Sequence, residues 1–273
     1  MIENVANLPI EKLLGKNNSN QEILYKIPPY QREYAWGKLQ WENLFNDLDE
    51  NDEGYFLGSI ICITNDDNVL DVVDGQQRLT TVSILLNVIL NYINTYNREH
   101  PEERILDLAE NEEYANSWVT LKKLLYVKNK KQKLTLSIQN NNNEDYLYVL
   151  SRNKLLELQN KPANFGNRRV SKAYEYFAQR FFDKDENDEI IFDIKKVYKY
   201  LQKVLSASLV KIEVKDSSSA FILFESINNR GIPLTPIDLI KNSIIGEMEK
   251  NGYKKPEDTN EEWQTIIENI EGF

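Results

Sequence analysis

Apolar and polar residues change their spacing several times along the chain, and each change marks an element. Trp41, Leu44, Phe45 and Leu48 recur at i, i+3, i+4 and i+7, which predicts a helix over roughly 37 to 50 before the acidic loop "DENDEG". Two short apolar runs, "YFLGSIICIT" and "VLDVV", flank the polar turn "NDDN" and predict a hairpin. "EILYKIPPYQ" predicts a strand ending at Pro28 and Pro29, because proline gives no ladder donor and restricts the residue before it. From Arg78 to about Tyr96 the residues are apolar nearly all round, strongest through Leu79, Val82, Leu86, Ile89 and Ile93, as expected of a core helix.

Beyond that helix the pattern through residue 205 is mostly helical, broken at "NNNN", "QNKPANFGN" and "DKDENDE" and once by the alternating segment "KLTLSI". "RRVSKAYEYFAQRFF" is its clearest helix. The strand "SASLVKIEV" then leads to Asp216, an expected N-cap for "SSSAFILFESIN". Gly231 fits a helix C-cap, Thr235 an N-cap and Asp238 the third position of a capping box, while Trp263, Ile266, Ile267 and Ile270 pattern a last helix. The expected fold class is α+β. Residues 1–97 and 206–250 form the expected core unit, 98–205 a mainly helical insertion, and 251–273 the start of a C-terminal helical region.

Composition narrows the chemistry. The 273 residues include 41% hydrophobic and 11% aromatic side chains, enough for a substantial core, and no run of about 18 apolar residues or basic-then-apolar N-terminus occurs. A cytoplasmic protein with no membrane partner is the expectation. One cysteine, Cys62, and one histidine, His100, rule out a disulfide framework and a two-histidine metal site within these residues. The formal charge of -10 opposes binding of nucleic acid over the whole surface. One window, 115–143, reverses the sign: it holds no acid but carries Lys122, Lys123, Lys128, Lys130, Lys131 and Lys133. Such a run is either a solvated basic helix end and loop or a patch that contacts DNA phosphates.

Three polar motifs stand where pure structure does not require them. In "VVDGQQRLTT" a helix beginning near Gln76 would leave its first backbone N–H groups without partners beside Gly75, a natural anion site. Asp74 can instead cap the turn, with Gly75 there only to permit it. Arg78 opposes the helix dipole at about 0.3 to 1 kcal/mol unless an anion lies between it and the helix start. "IPPYQREYAW" sets Gln31 and Arg32 among Tyr30, Tyr34 and Trp36; this is either a packed aromatic loop or a nucleotide site with phosphate on the guanidinium and base on a ring. Asn228, Asn229 and Arg230 end a helix in "FESINNRG" and are not explained by capping. No GxxxxGK[ST], GxSxG or HExxH motif occurs, and Cys62 lies in an apolar strand as an expected core thiol.

In this order and spacing, "IPPYQREYAW", "YFLGSI", "VVDGQQRLTT" and "AFILFESINNRGIPLTPIDLIKNSI" resemble the DUF262 family over nearly the whole chain. That family is the N-terminal module of GmrSD-type modification-dependent restriction enzymes and related phage-defence proteins. The resemblance implies a ParB/sulfiredoxin-like core whose phosphate-binding turn corresponds to "DGQQR", and nucleoside triphosphate binding and hydrolysis with Mg2+. By this resemblance Asp74, Gln76, Gln77 and Arg78 are the expected catalytic group, with Asp74 also touching the metal. Gln31, Arg32, Tyr34, Trp36, Gly75, Thr80, Thr81, Asn228 and Arg230 would line the nucleotide. The expected partners are modified DNA and an HNH-type nuclease outside these residues, since His100 lies in no such motif; self-association is left open. A ParB-like DNA clamp switched by nucleotide is the alternative, and Arg32, Arg78 and Arg230 are expected to converge on one pocket.

Overall fold

The paired apolar runs form the expected hairpin at the centre of a six-stranded mixed sheet. The computed structural model describes residues 2–17, 20–64, 68–101, 112–127, 131–137, 142–153, 156, 159–187 and 189–227. In chain order the elements begin with β1 (Ile2–Pro9), α1 (Ile10–Leu13), β2 (Leu24–Lys26) and α2 (Lys38–Glu50). The hairpin strands β3 (Phe56–Thr64) and β4 (Val69–Asp74) follow, then the long α3 (Gln76–Glu99) and α4 (Glu112–Leu125). Short strands β5 (Tyr126–Val127), β6 (Lys131–Gln132) and β7 (Leu134–Thr135) precede α5 (Asn142–Ser151) and α6 (Arg169–Phe181). The described chain closes with β8 (Asp183–Lys184), β9 (Ile190–Ile191), α7 (Ile194–Ser206), β10 (Ser208–Val214) and α8 (Ser217–Ile227). This is the α+β class that the sequence predicts.

The sheet runs β1-β10-β3-β4-β2-β7. β3 and β4 pair antiparallel, while β10 adds parallel to β3 and β2 adds parallel to β4. One member was not visible in the residue pattern. β1 is an edge strand, antiparallel to β10, whose residues are mostly exposed, so it lacks the alternation that marks a half-buried strand. β7, within "KLTLSI", pairs parallel with β2, and Ile27 N–H donates to the Thr135 carbonyl at 2.8 Å.

Packing explains why α3 reads as apolar all round. Ile60, Cys62, Leu70 and Val72 of the hairpin, with Leu79, Val82, Leu86 and Ile89 of α3, belong to one continuous core that also takes in α2, α6 and α7. Each such side chain contributes about 1.5–3 kcal/mol when fully buried. On the other sheet face Ile61, Ile212 and Val214 pack with Ala220 of α8. Asp216 accepts the Ser219 N–H at 2.7 Å, the expected cap of α8. Burial pushes the Cys62 thiol well up, so it stays protonated in the core. Among the described residues no helix is long and apolar enough to cross a membrane. Gly231, Thr235, Asp238 and the Trp263–Ile270 pattern lie outside the described residues.

Candidate functional site

The site is built where β4 ends and α3 begins. Gly75 is left-handed, at φ 79 and ψ 6, a conformation glycine adopts without steric cost. A Cβ there would lie 2.6 Å from Ile60 Cγ2 and 2.7 Å from the Ser59 carbonyl oxygen, so the turn is pressed against β3. No side chain caps the N-terminus of α3. Asp74 therefore does not act as the N-cap that its sequence position allows; its carboxylate takes the Gly75 N–H instead. The first-turn N–H groups keep their anion-binding capacity.

Three charged groups surround this turn. Burial raises the Asp74 carboxyl above its ordinary value, opposed by the Gly75 N–H and by the charges of Arg78 and Arg32. Burial likewise lowers Arg78, opposed by Asp74. Neither arginine closes an ion pair with Asp74. Arg78 Nη1 donates to the Ser59 carbonyl at 2.9 Å, which gives this first-turn cation a protein acceptor and removes the need for an anion to explain its place. Gly58 makes room for it: at φ 108, its missing Cβ would sit 3.1 Å from the guanidinium carbon. A lone glycine within a strand was the sequence signal for that close approach. Arg32 has no hydrogen-bond partner among the described residues.

Arg32 also lines a recess beside the first turns of α3, holding about 200 Å³ of empty space with its open mouth included. Gln76 and Thr80 form its helix wall, and Ile27, Leu136 and Asn142 close it from β2 and the segments around β7 and α5. Ser137 completes the polar lining. None of these β7 and α5 residues carries a motif, and only the fold reveals them.

Several residues expected to touch ligand are committed elsewhere. Gln77 Oε1 accepts from Ala35 N–H at 2.7 Å and Trp36 N–H at 3.2 Å, and its Nε2 donates to the Glu33 carbonyl at 2.8 Å. Three of its hydrogen bonds thus clamp the "QREYAW" loop onto α3, and one Nε2 N–H is left beside the recess that Gln77 helps to line. Thr81 is completely buried, donating to the Gln77 carbonyl at 2.7 Å and sharing a hydrogen bond with Tyr34 OH at 2.7 Å. Tyr34 OH also accepts from Trp41 Nε1 at 2.7 Å, so Tyr34 and Thr81 are braces under the site. Trp36 is half-buried against the core. The clamp is what brings Arg32 and Gln31 to "DGQQR"; Gln76 Nε2 donates to Gln31 Oε1 at 3.0 Å.

The basic window does not form one surface. Lys133 is buried, its ammonium donating to Glu22 Oε2 at 2.7 Å and to the Gly15 carbonyl at 3.0 Å, and burial lowers its pKa. It is a structural cation and cannot serve as a DNA contact. Lys122 lies over the Trp118 ring, 3.0 Å from its centroid. Lys123 ends α4 and Lys131 is exposed on β6, while Lys128 and Lys130 lie outside the described residues. Asn228 and Arg230 also lie outside them, which leaves Arg32 and Arg78 as the described members of the expected convergence.

Among the described residues no group of three His, Cys, Asp or Glu side chains could hold a metal by itself. Magnesium takes one or two carboxylates and completes its shell with phosphate oxygens and water, so the single Asp74 fits a metal carried by a polyphosphate. Two guanidinium groups and an uncapped helix start against one carboxylate make the turn a net acceptor of negative charge. No curated protein matches the chain. The family described as GmrSD restriction endonuclease, N-terminal domain, matches residues 10–245, which hold the whole of this site, and the chain belongs to that family, the DUF262 group of restriction and phage-defence components.

Proposed function

We propose that the protein is the nucleoside-triphosphate-binding and hydrolysing module of a modification-dependent restriction or phage-defence system, regulating a nuclease that lies outside these residues. The observation that carries this reading is the pair of guanidinium groups, one of them without a hydrogen-bond partner among the described residues, beside an uncapped helix start at a left-handed glycine. The first-turn N–H groups of α3 would donate to phosphate oxygens, and Arg78, held by Ser59, would present its remaining N–H groups to the same phosphates. Arg32 would close the site from the clamped loop. Bound magnesium would neutralise phosphate charge, with Asp74 as its protein ligand. Of the two glutamines, Gln76 would orient water or phosphate, since its amide makes one hydrogen bond among the described residues where that of Gln77 makes three. The ParB/sulfiredoxin likeness enters only as an analogy for the phosphate-binding turn, and modified DNA is the proposed signal for the assembled system.

The test is a panel of nucleoside triphosphates titrated into the purified chain with and without magnesium, reading both binding and phosphate release. Magnesium-dependent release that is lost in Arg78→Ala is the expected result. Tight binding with no release would leave a nucleotide switch without hydrolysis. No binding of any triphosphate would end the reading.

A further inference from the structure

The sheet ends at β1 on the side opposite β7, and that edge is open. β1 pairs with β10 along one side; among the described residues no strand pairs with its other side. Just past the strand, the Ile10 N–H donates to the Ala207 carbonyl at 2.8 Å, and successive backbone groups of a strand alternate between its two sides. Asn4, Ala6 and Leu8 therefore direct their backbone groups to β10, and Val5 and Asn7 direct theirs to the open edge. Natural edges are blunted by lysine, by proline or by a bulge. β1 carries no lysine, its one proline is the terminal Pro9, and its irregularity lies between Ile2 and Asn4, so residues 4–9 keep a regular register.

The side chains point the same way. Ile61, Ile212 and Val5 are paired in register across β3, β10 and β1, so they form one row on the sheet face where Ile61 and Ile212 pack with Ala220 of α8. Exposure along this row rises from 0% at Ile61 to 8% at Ile212 and 56% at Val5. Val5 is the bare end of an apolar row, at a strand position whose backbone groups face the open edge.

A second copy of the same strand complements this edge. With β1 antiparallel to β1 of the second copy about a twofold axis at Val5, the two valines form a β-branched pair and the apolar row continues into the second molecule. Glu3, the only charged residue of β1, then falls opposite Asn7 of the partner subunit, so no like charges meet. An axis at Ala6 would set Val5 against Asn7 and break the row. An axis at Asn7 would set Val5 against Pro9 of the partner subunit, which has no N–H to give.

We infer that the open edge of β1 is a self-association surface: two copies of this chain pair β1 to β1 in an antiparallel register centred on Val5, joining their six-stranded sheets into one continuous sheet. The recess lies at the other end of the sheet, beside β2 and β7, so the pairing does not depend on whether the site binds nucleotide. A single short strand pair buries less than a standard interface of about 1,600 Å², which sets the expected dimer dissociation constant at about 1–100 µM.

Sedimentation of the full chain over about 1–200 µM should show a monomer–dimer equilibrium. Val5→Pro removes an N–H that faces the edge and spares the bonds to β10; with folding confirmed by its melting curve, it should weaken the dimer by at least about tenfold. Val5→Cys gives an independent reading, because the native Cys62 is buried. Under mild oxidation this variant should form a disulfide-linked dimer that dithiothreitol releases, while Asn7→Cys, also exposed but facing Glu3 across the pair, should stay monomeric on a denaturing gel. A wild type that remains monomeric throughout would leave the edge to a strand from a different protein and overturn the inference. A folded Val5→Pro chain that dimerises as the wild type does, or a Val5→Cys chain that does not cross-link, would overturn it as well. Cross-linking through Asn7→Cys as readily as through Val5→Cys would contradict the register.

Discussion

Among the described residues, arginine is brought to a carboxylate at Asp145, which is buried, and at Asp74, which is half-buried, and the two places are built in opposite ways. At the start of α6, Arg168 Nε donates to Asp145 Oδ2 at 2.6 Å and Nη2 donates to Oδ1, a two-pronged pair in which Asp145 is completely buried. Hydrogen bonding to Asp145 raises the Arg168 pKa, so the charged form is favoured. At the start of α3, Asp74 and Arg78 are each pushed by burial toward neutrality, and neither closes an ion pair with the other. The first pair has spent its hydrogen-bonding capacity on itself and serves as a joint between α5 and α6. The second leaves its charges without an ion pair among the described residues in a half-buried turn, an arrangement that a bound polyanion would favour. The contrast separates structural ionic groups from candidate functional ones by whether their partners are already present.

The largest effect should come from breaking the closed pair. Arg168→Met leaves Asp145 buried without a partner, and chemical denaturation should show a loss of about 3–5 kcal/mol. A loss under about 1 kcal/mol would mean that Asp145 tolerates burial alone and the contrast is misdrawn.

At the open site the same type of change should act on chemistry instead of stability. Arg78→Ala should keep its stability within about 1 kcal/mol and lose about 2–4 kcal/mol of transition-state stabilisation, measured as phosphate release; Arg78→Lys should recover only part. Gly58→Ala should lower turnover in the same direction, because its Cβ would meet the guanidinium at 3.1 Å in a strained backbone. Unchanged turnover in all three would place Arg78 among the structural cations.

Lys133 sharpens the comparison from the other side. Its ammonium is closed by Glu22 and Gly15, so Lys133→Met should cost about 1–3 kcal/mol of stability. Retention of DNA across a salt series should not change, and a reduced salt slope would return it to the DNA-contacting group.

The smallest effect concerns protons. The folded-state pKa of Asp74 lies above its ordinary 3.8, so the stability it contributes is complete below that pH and is lost as pH rises through the folded value. Asp74→Asn should remove this dependence: urea midpoints of the variant relative to wild type should improve from acid toward neutral pH. Magnesium-dependent phosphate release should nonetheless fall in the variant, since asparagine is a poor magnesium ligand. A variant less stable at neutral pH than in acid, relative to wild type, would reverse the sign of this account.

How far the residues alone reveal this molecule depends on the distance between partners. The β3–β4 hairpin and α3 are legible because their apolar periods are local and strong. β1 is not, because its only described pairing is with β10, from Pro9 with Ser208 back to Ile2 with Val214, and an exposed edge imposes no alternation. "DGQQR" is legible as a candidate site since polar residues cluster at a helix start. The role of Gln77 within it is not, because its three partners are backbone groups of residues 33, 35 and 36, and nothing in a side-chain pattern records those bonds. Lys133 reads as surface charge for the same reason: Glu22 is its partner only in the folded chain. The recess is still less visible, because Leu136, Ser137 and Asn142 meet α3 only once β7 has joined β2.

The central claim is that Arg32 and Arg78 act together on one polyphosphate at the start of α3. Its most direct test is a double-mutant cycle on magnesium-tripolyphosphate binding, with Arg32→Ala, Arg78→Ala and the combined variant, each confirmed folded by its melting curve. Groups that share one ligand couple by about 0.5–3 kcal/mol. The account predicts that each single variant loses at least about tenfold in affinity and that the double variant departs from the sum by at least about 0.5 kcal/mol. Wild-type affinity in both single variants, or losses that add without coupling, would contradict it.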